Sequence, residues 1–277
     1  RDADVAWGWF TLAAVGLVLS HVANNLMNDL FDLDVGNDTE EYPRNLYAPH
    51  PVLSGMISRR GLAAAALAVN ATCLAIMGVL VAARGWPIAA FAVGGFLLSA
   101  AYTAPPLRLK KRGLGEPTVL IVWGPMMVGG TYYAATGTIP GGIVLASLPY
   151  ALLCTTVLMG KHIDKLAWDA PKHTNTLPVL LGEARARRVT QAMFVAFFAS
   201  VIALVVVRVL PWATLLVVLS LPRMQPVWRA FDAPKPEVSP VPNPVWPLWF
   251  APHAFLLTRR AGGLLALGLV VGAVVGW

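Results

Sequence analysis

The sequence predicts an all-α fold, a multi-span transmembrane helical bundle. Three observations predict it. The 277 residues are 57% hydrophobic and 13% charged, where soluble domains run at about 45–50% apolar and about 25% charged. The mean hydropathy is +0.65. The apolar residues also collect into runs near the roughly 20 residues that cross a bilayer. This composition excludes a disordered chain, a coiled coil, a collagen and a disulfide scaffold. It also excludes a soluble nucleic-acid binder, despite a net charge of +7, because the basic residues lie between long apolar segments.

Eight spans are expected, at 5–23, 61–83, 86–104, 117–136, 140–160, 189–209, 211–222 and 262–277. The last two are short, and 211–222 is accepted because its neighbours require a return crossing. Between them, Pro222 to Pro252 reads as a loop, since Pro234, Pro236, Pro240, Pro242, Pro244 and Pro247 interrupt any helix. The loops 24–60, 105–116, 161–188 and 223–261 carry 18 of the 21 Lys and Arg residues. That bias puts all four on the cytoplasmic side. The same loops hold 12 of the 14 acidic residues. Carboxylates do not set topology, so their clustering there points to an active site on that face. Cys73 and Cys154 lie in apolar runs without metal or disulfide spacing and read as small core residues. The chain begins at Arg1, so the native start is expected to be missing.

The first chemical cluster follows span one. Asn25, Asn28, Asp29 and Asp32 fall at i, i+3, i+4 and i+7, one face of a helix. Oxygen-only ligands suit a hard cation, and Mg²⁺ prefers one or two carboxylates plus substrate phosphate. Gly36 frees the backbone to turn, so that Asp38 folds back toward the same ion. A second cluster follows span five, with Asp164 and Asp169 among Lys161, Lys165 and Lys172. Five residues apart, the two carboxylates point roughly 140° apart on a regular helix. They share an ion only if the helix breaks; otherwise His162, Lys165 and Asp169 share a face. His162 and His173 lack clean ligand spacing and read as polar loop residues. A third segment, Arg108 to Arg112, concentrates cations. Lys111 and Arg112 are covered by the topology signal and lipid contact, whereas Arg108 and Lys110 are placed to turn inward. Trp246, Trp249 and Phe250 read as interfacial anchors. Acids and cations above an apolar bundle call for a substrate with a diphosphate head and a hydrocarbon tail.

This arrangement resembles the UbiA superfamily of intramembrane prenyltransferases over nearly the whole chain. Asn28-Asp29-xx-Asp32-xxxxx-Asp38 resembles the aspartate-rich motif of the branch that prenylates 1,4-dihydroxy-2-naphthoate in menaquinone synthesis. Gly113-Leu-Gly115-Glu116, Gly124-Pro125, the run Gly129 to Gly137 and Asn175-Thr176-Leu177-Pro178-x3-Gly182 are similar to further elements of that family. The resemblance implies nine helices, with one span missing before the first motif, in a single transmembrane domain over 1–277. Two departures stand out: Asp164 and Asp169 have one intervening residue too many, and Gly160-Lys161-His162 replaces asparagines.

The resemblance implies Mg²⁺ as cofactor, a polyprenyl diphosphate as donor and a small hydrophobic acceptor. Asn28, Asp32 and Asp38 hold one Mg²⁺, and Asp164 with Asp169 a second. Lys110 and Arg44 grip the diphosphate, with Lys161 and Arg108 as further candidates. Tyr102 faces the allylic cation, Tyr132 or Tyr133 being the second choice, and Asp29 is the base. A naphthoate acceptor leads, ahead of hydroxybenzoate, a carotenoid end or a sugar phosphate. An intramolecular cyclase uses the same metal site without an acceptor. The reading from another class is a transporter or lipid-binding protein, which acids at one membrane face disfavour.

Overall fold

The computed structural model describes residues 5–34 and 42–275. In chain order the helices are α1 (Trp7–Asp34), α2 (Arg44–Tyr47), α3 (Arg59–Arg84), α4 (Trp86–Thr103), α5 (Gly115–Ile121), α6 (Met127–Thr136), α7 (Gly142–Asp164), α8 (Leu166–Asp169), α9 (Leu177–Leu181), α10 (Glu183–Val206), α11 (Leu221–Asp232) and α12 (Phe250–Val275). Among the described residues no strand forms; one isolated bridge joins Arg112 and Asn175. The chain divides into two compact units. One holds residues up to Leu109 and Pro125–Gly141, the other Lys110–Gly124 and Gly142 onward.

The all-α, multi-span expectation holds, with a corrected span count. Among the described residues six helices are long and apolar enough to cross a membrane: α1, α3, α4, α7, α10 and α12. The expected span 117–136 is helical but not uniform. Between α5 and α6 the backbone widens into a π-helical turn, Val122–Met126, which contains Pro125. A proline lacks the N–H of the regular ladder and crowds the carbonyl four residues back, and a π turn is one way a helix absorbs such a defect. The expected span 211–222 is instead a 3-10 helix, Trp212–Ser220, running directly into α11.

That α11 is helical corrects the reading of everything after Pro222 as loop. Pro222 sits in its first turn, where the missing N–H has no partner to lose. The helix that carries the last span also begins earlier than expected, at Phe250 rather than 262. Pro252 falls within its first turn, so the proline that seemed to end a loop starts a helix. Span one likewise runs on to Asp34, carrying the polar residues after position 23 as helix.

Each unit has its own packing logic. In the first, α1 lies against α3 and α6, and α3 against α4. Ala13, Leu80, Ile88 and Ala134 form its buried cluster. In the second, α7, α10 and α12 surround an aromatic core. Phe194 meets Phe231 edge-on at 5.6 Å, and Phe231 meets Phe250 at 4.9 Å. Gly160 permits one close approach: a Cβ there would lie 2.8 Å from Ala251 N and from the Phe250 carbonyl carbon. The contact brings the end of α7 against the start of α12.

Candidate active site

The first acidic cluster lies at the polar end of the first unit. α1 carries Asn24, Asn28 and Asp32 four residues apart, and α4 carries Ser99 and Thr103 at the same spacing. Ser99 donates to Asn24 Oδ1 at 2.6 Å, and Thr103 donates to Asn28 Oδ1. Two matched i, i+4 pairs thus zip α1 to α4. Asp29 and Asp32 are both buried, at 7% exposure. Asn25, expected on their face, is exposed.

Asp29 and Arg44 were expected to act separately, as base and diphosphate grip. The structure pairs them. The Arg44 guanidinium engages both carboxylate oxygens of Asp29, one at 2.9 Å. A bidentate pair of this kind is strong and orienting, and it occupies the lone pairs a base would use. His50, 1% exposed, reaches the Asp29 backbone oxygen at 3.1 Å. The Val52 N–H donates to His50 Nδ1, so Nδ1 is an acceptor and Nε2 carries the donated proton. Beyond Asp29, Asp34 accepts two bonds from Arg59, at 2.8 and 2.7 Å. Gly36 and Asp38 lie outside the described residues.

Past Thr103 the chain reaches Arg108, whose φ is 45°. A non-glycine residue in this left-handed region costs of order 1–3 kcal/mol unless its surroundings hold it. Arg108 Nε is also buried, with no hydrogen-bond partner among the described residues. A strained backbone and an unsatisfied cationic N–H coincide five residues after the Thr103–Asn28 bond. Tyr102 lies in the last turn of α4, half-buried. Tyr133, by contrast, belongs to the other end of this unit. Its hydroxyl donates to the Arg84 carbonyl at 2.9 Å, while the Arg84 side chain donates to the carbonyls of Ala134 and Ala135. Tyr133 is tied down there and drops out as a cation-facing ring. Tyr132 is half-buried in α6.

In the second unit the required helix break is present: α7 ends at Asp164 and α8 restarts after Lys165. The carboxylates then part ways. Asp164 Oδ1 accepts from Phe250 N at 3.0 Å and Oδ2 from Ala251 N at 2.9 Å. It caps the first turn of α12, where Pro252 has no N–H to satisfy. This corrects the pairing of Asp164 with Asp169 as equivalent ligands. Asp169 is buried in α8, and its backbone oxygen accepts from Lys172 and Thr174.

His162 is not a polar loop residue. It is buried in the last turn of α7, with Nδ1 2.7 Å from Glu116 Oε1, itself 2% exposed. His173 does lie in a turn, with φ 53°. Lys161 is exposed and Lys110 half-buried. Lys235 was missed. Its ammonium lies 5.4 Å from the Trp168 ring and 5.1 Å from the Trp246 ring, and donates to the Asp164 carbonyl at 3.4 Å. Trp246 therefore stacks on a cation rather than serving simply as a membrane anchor. Burial pushes the Lys235 ammonium below its usual range, with Asp164 and Glu183 pulling the other way.

Two of the motifs that carried the resemblance, Gly113-Leu-Gly115-Glu116 and the run from Asn175 to Gly182, meet within this unit. Arg112 bridges Asn175, Gly113 packs on Leu180, and Glu116 pairs with His162. The glycines and Glu116 were legible as a motif; the histidine partner, in a segment without known spacing, was not.

Among the described residues no three His, Cys, Asp or Glu side chains assemble a metal site. The donors on α1 nevertheless fit Mg²⁺ in kind: Asn28 and Asp32 are oxygen ligands on one helix face, with no thiol or imidazole beside them in that run.

Comparison with known proteins gives a consistent picture. Residues 2–239 match the UbiA prenyltransferase family. The chain is 26% identical over 215 residues to 2-carboxy-1,4-naphthoquinone phytyltransferase of Synechocystis sp., covering 77% of this chain and 66% of that protein. It is 30% identical over 218 residues to 1,4-dihydroxy-2-naphthoate octaprenyltransferase of Haemophilus influenzae, covering 76% and 70%. The chain thus spans about two thirds of the length of these relatives. Among solved structures it resembles a UbiA homolog from Archaeoglobus fulgidus bound to GPP and Mg²⁺. The TM-score is 0.57 at 18% identity, covering 95% of this chain and 89% of that one. The same homolog bound to DMAPP and Mg²⁺ gives a TM-score of 0.58 at 18% identity, covering 95% and 90%. These likenesses are to the fold.

Proposed function

The chain belongs to the UbiA prenyltransferase family, and on that premise we propose that it is a Mg²⁺-dependent enzyme. It moves a polyprenyl group from a prenyl diphosphate to an aromatic, quinone-precursor-type acceptor. The observation that carries this reading is Arg108, half-buried on strained backbone five residues after Thr103, with a buried Nε–H that has no partner among the described residues, at the same end of its unit as the Asn28–Asp32 face. An orphaned cationic N–H at the same end of the unit as oxygen donors for a hard cation suits an anion that arrives with its metal.

In this reading Asn28, Asp32 and Asp38 hold the ion, and Arg108 takes a diphosphate oxygen. Bound Mg²⁺ neutralises the charge that grows on the leaving diphosphate. Within the second unit, Asp169 is the metal-ligand candidate, and Lys110 and Lys161 are the anion-binding cations. Asp164 holds the start of α12 instead. Thr103 and Arg44 orient Asn28 and Asp29. The carbon–oxygen bond of the donor breaks, and Tyr102 offers its ring face to the allylic cation. An electron-rich acceptor carbon forms the new bond and loses its proton. With Asp29 paired to Arg44, proton removal is assigned to the diphosphate or water rather than to Asp29. The acceptor is placed among naphthoates because the relatives compared act, by name, on naphthoate-type rings. The Lys and Arg distribution favours a cytoplasmic site.

The test uses purified protein in detergent with Mg²⁺, a long-chain prenyl diphosphate, and equal 1,4-dihydroxy-2-naphthoate and 4-hydroxybenzoate. Product mass is read after incubation. Prenylated naphthoate that disappears with EDTA supports the reading. Diphosphate release with a hydrocarbon product and no prenylated ring overturns the acceptor class, and turnover indifferent to EDTA overturns the metal.

A further inference from the structure

The 3-10 helix Trp212–Ser220, α11 and α12 pack on one another in the second unit. At their junction a cavity of about 480 Å³ opens to the outside. Three cations line it, Arg223 from the first turn of α11 and Arg259 and Arg260 from α12. No acidic residue lines it, and among the described residues no ion pair or side-chain hydrogen bond involves any of the three arginines. Its apolar wall is built from Leu219, Leu264 and Leu267.

Depth along α12 narrows the ligand. From Ala261 to Val275 the helix has no charged residue, about 22 Å at the helical rise of 1.5 Å per residue. Against a hydrocarbon core about 30 Å thick, the backbones of Arg259 and Arg260 fall roughly 8 Å inside one edge of the apolar layer. With side-chain reach, that is the depth of lipid phosphates. Arginines that merely snorkel to water need no cavity. They also have no reason to converge from two helices on a shared space.

We propose that this pocket binds the phosphate of an anionic phospholipid, with Arg223, Arg259 and Arg260 holding the head group. Leu219, Leu264 and Leu267 receive the start of an acyl chain. Charge without an apolar wall would suit free phosphate; the leucines commit the site to an amphiphile. The pocket shares no residue with the proposed catalytic machinery, so it stands or falls separately from the prenyl-transfer reading.

The experiment is lipid titration of the purified full chain in detergent, read by native mass spectrometry. The probes are dioleoylphosphatidylglycerol, dioleoylphosphatidylcholine, inorganic phosphate and geranylgeranyl diphosphate. Phosphatidylglycerol should bind about tenfold tighter than phosphatidylcholine, and this preference should fall at least fivefold in Arg259→Gln/Arg260→Gln. Arg223→Gln alone should show a smaller loss, which keeps the test open if the double variant folds poorly. Arg229→Gln, on α11 outside the lining, should bind like the wild type. Equal binding of the two lipids, or unchanged preference in both pocket variants, overturns the proposal. Full competition by inorganic phosphate makes the site a phosphate site, and preferential displacement by geranylgeranyl diphosphate makes it a donor subsite; either result overturns the lipid assignment.

Discussion

The two acidic segments look alike in sequence and are used differently. On α1, Asn24, Asn28, Asp29 and Asp34 are engaged by other side chains: Ser99, Thr103, Arg44 and Arg59. After α7, both oxygens of Asp164 are engaged by backbone N–H groups at the start of a membrane-length helix. Side-chain partners can rotate away when a ligand arrives. Backbone partners cannot, because they belong to the ladder of α12. The first segment keeps donors that a ligand can claim, as the proposed chemistry requires, and Asp164 is held by the fold.

The sharpest test of this contrast is Asp32→Ala. Loss of this proposed metal-ligating carboxylate should cut prenyl transfer on the order of 10²–10³-fold, with the melting temperature in detergent nearly unchanged. A large loss of stability in this variant would erase the distinction between the segments. Next comes Asp164→Ala, which strands the Phe250 and Ala251 N–H groups in a buried site. Each unsatisfied group costs about 1–3 kcal/mol, so this variant should unfold in clearly less denaturant, and Asp164→Asn, which keeps one acceptor, should lose less. An Asp164→Ala protein as stable as the wild type but inactive would return Asp164 to the metal.

Gly160→Ala follows, because its new Cβ meets the backbone of Phe250 and Ala251. The backbones must separate, at about 1–3 kcal/mol, and the Asp164 cap should weaken with them. The smallest effect is expected from Lys235→Met. Burial disfavours the Lys235 ammonium in the folded state. Below the folded pKa that cost is present in full. It is relieved as pH rises from there toward the unfolded value near 10.5. The melting temperature of the wild type should therefore rise relative to Lys235→Met as the pH is raised toward 10.5. A constant difference would mean that the Trp168–Lys235–Trp246 stack outweighs desolvation.

Sequence reasoning recovered what periodicity and charge encode. The long apolar helices follow from spacing, while the break between Asp164 and Asp169 was left as one of two alternatives that spacing alone did not decide. Its errors share a cause. Pro222 and Pro252 were read as the bounds of a loop, yet each sits in the first turn of a helix, where a missing N–H costs nothing. Whether a proline interrupts or begins a helix depends on which residue is the cap. For α12 that cap is Asp164, 86 residues away in the chain. His162 was misread for the same reason: its partner Glu116 is 46 residues distant. Asp29 and Arg44 were each singled out separately, as base and diphosphate grip, but reciprocal neutralisation is a fact of three dimensions.

The fastenings at Asp29 and Asp34 bear on how this protein can change over evolutionary time. Arg44 and His50 fix the chain on one side of the acidic run, α1 fixes it on the other, and Arg59 returns to Asp34. Each fastening joins two positions that are constrained together: replacing Arg44 removes the guanidinium from a buried Asp29 carboxylate, while Arg59 and Asp34 meet in an exposed pair that contributes little on its own. Asp29 and Arg44 should therefore change in lineages only as a pair, whereas Asp34 and Arg59 can drift one at a time.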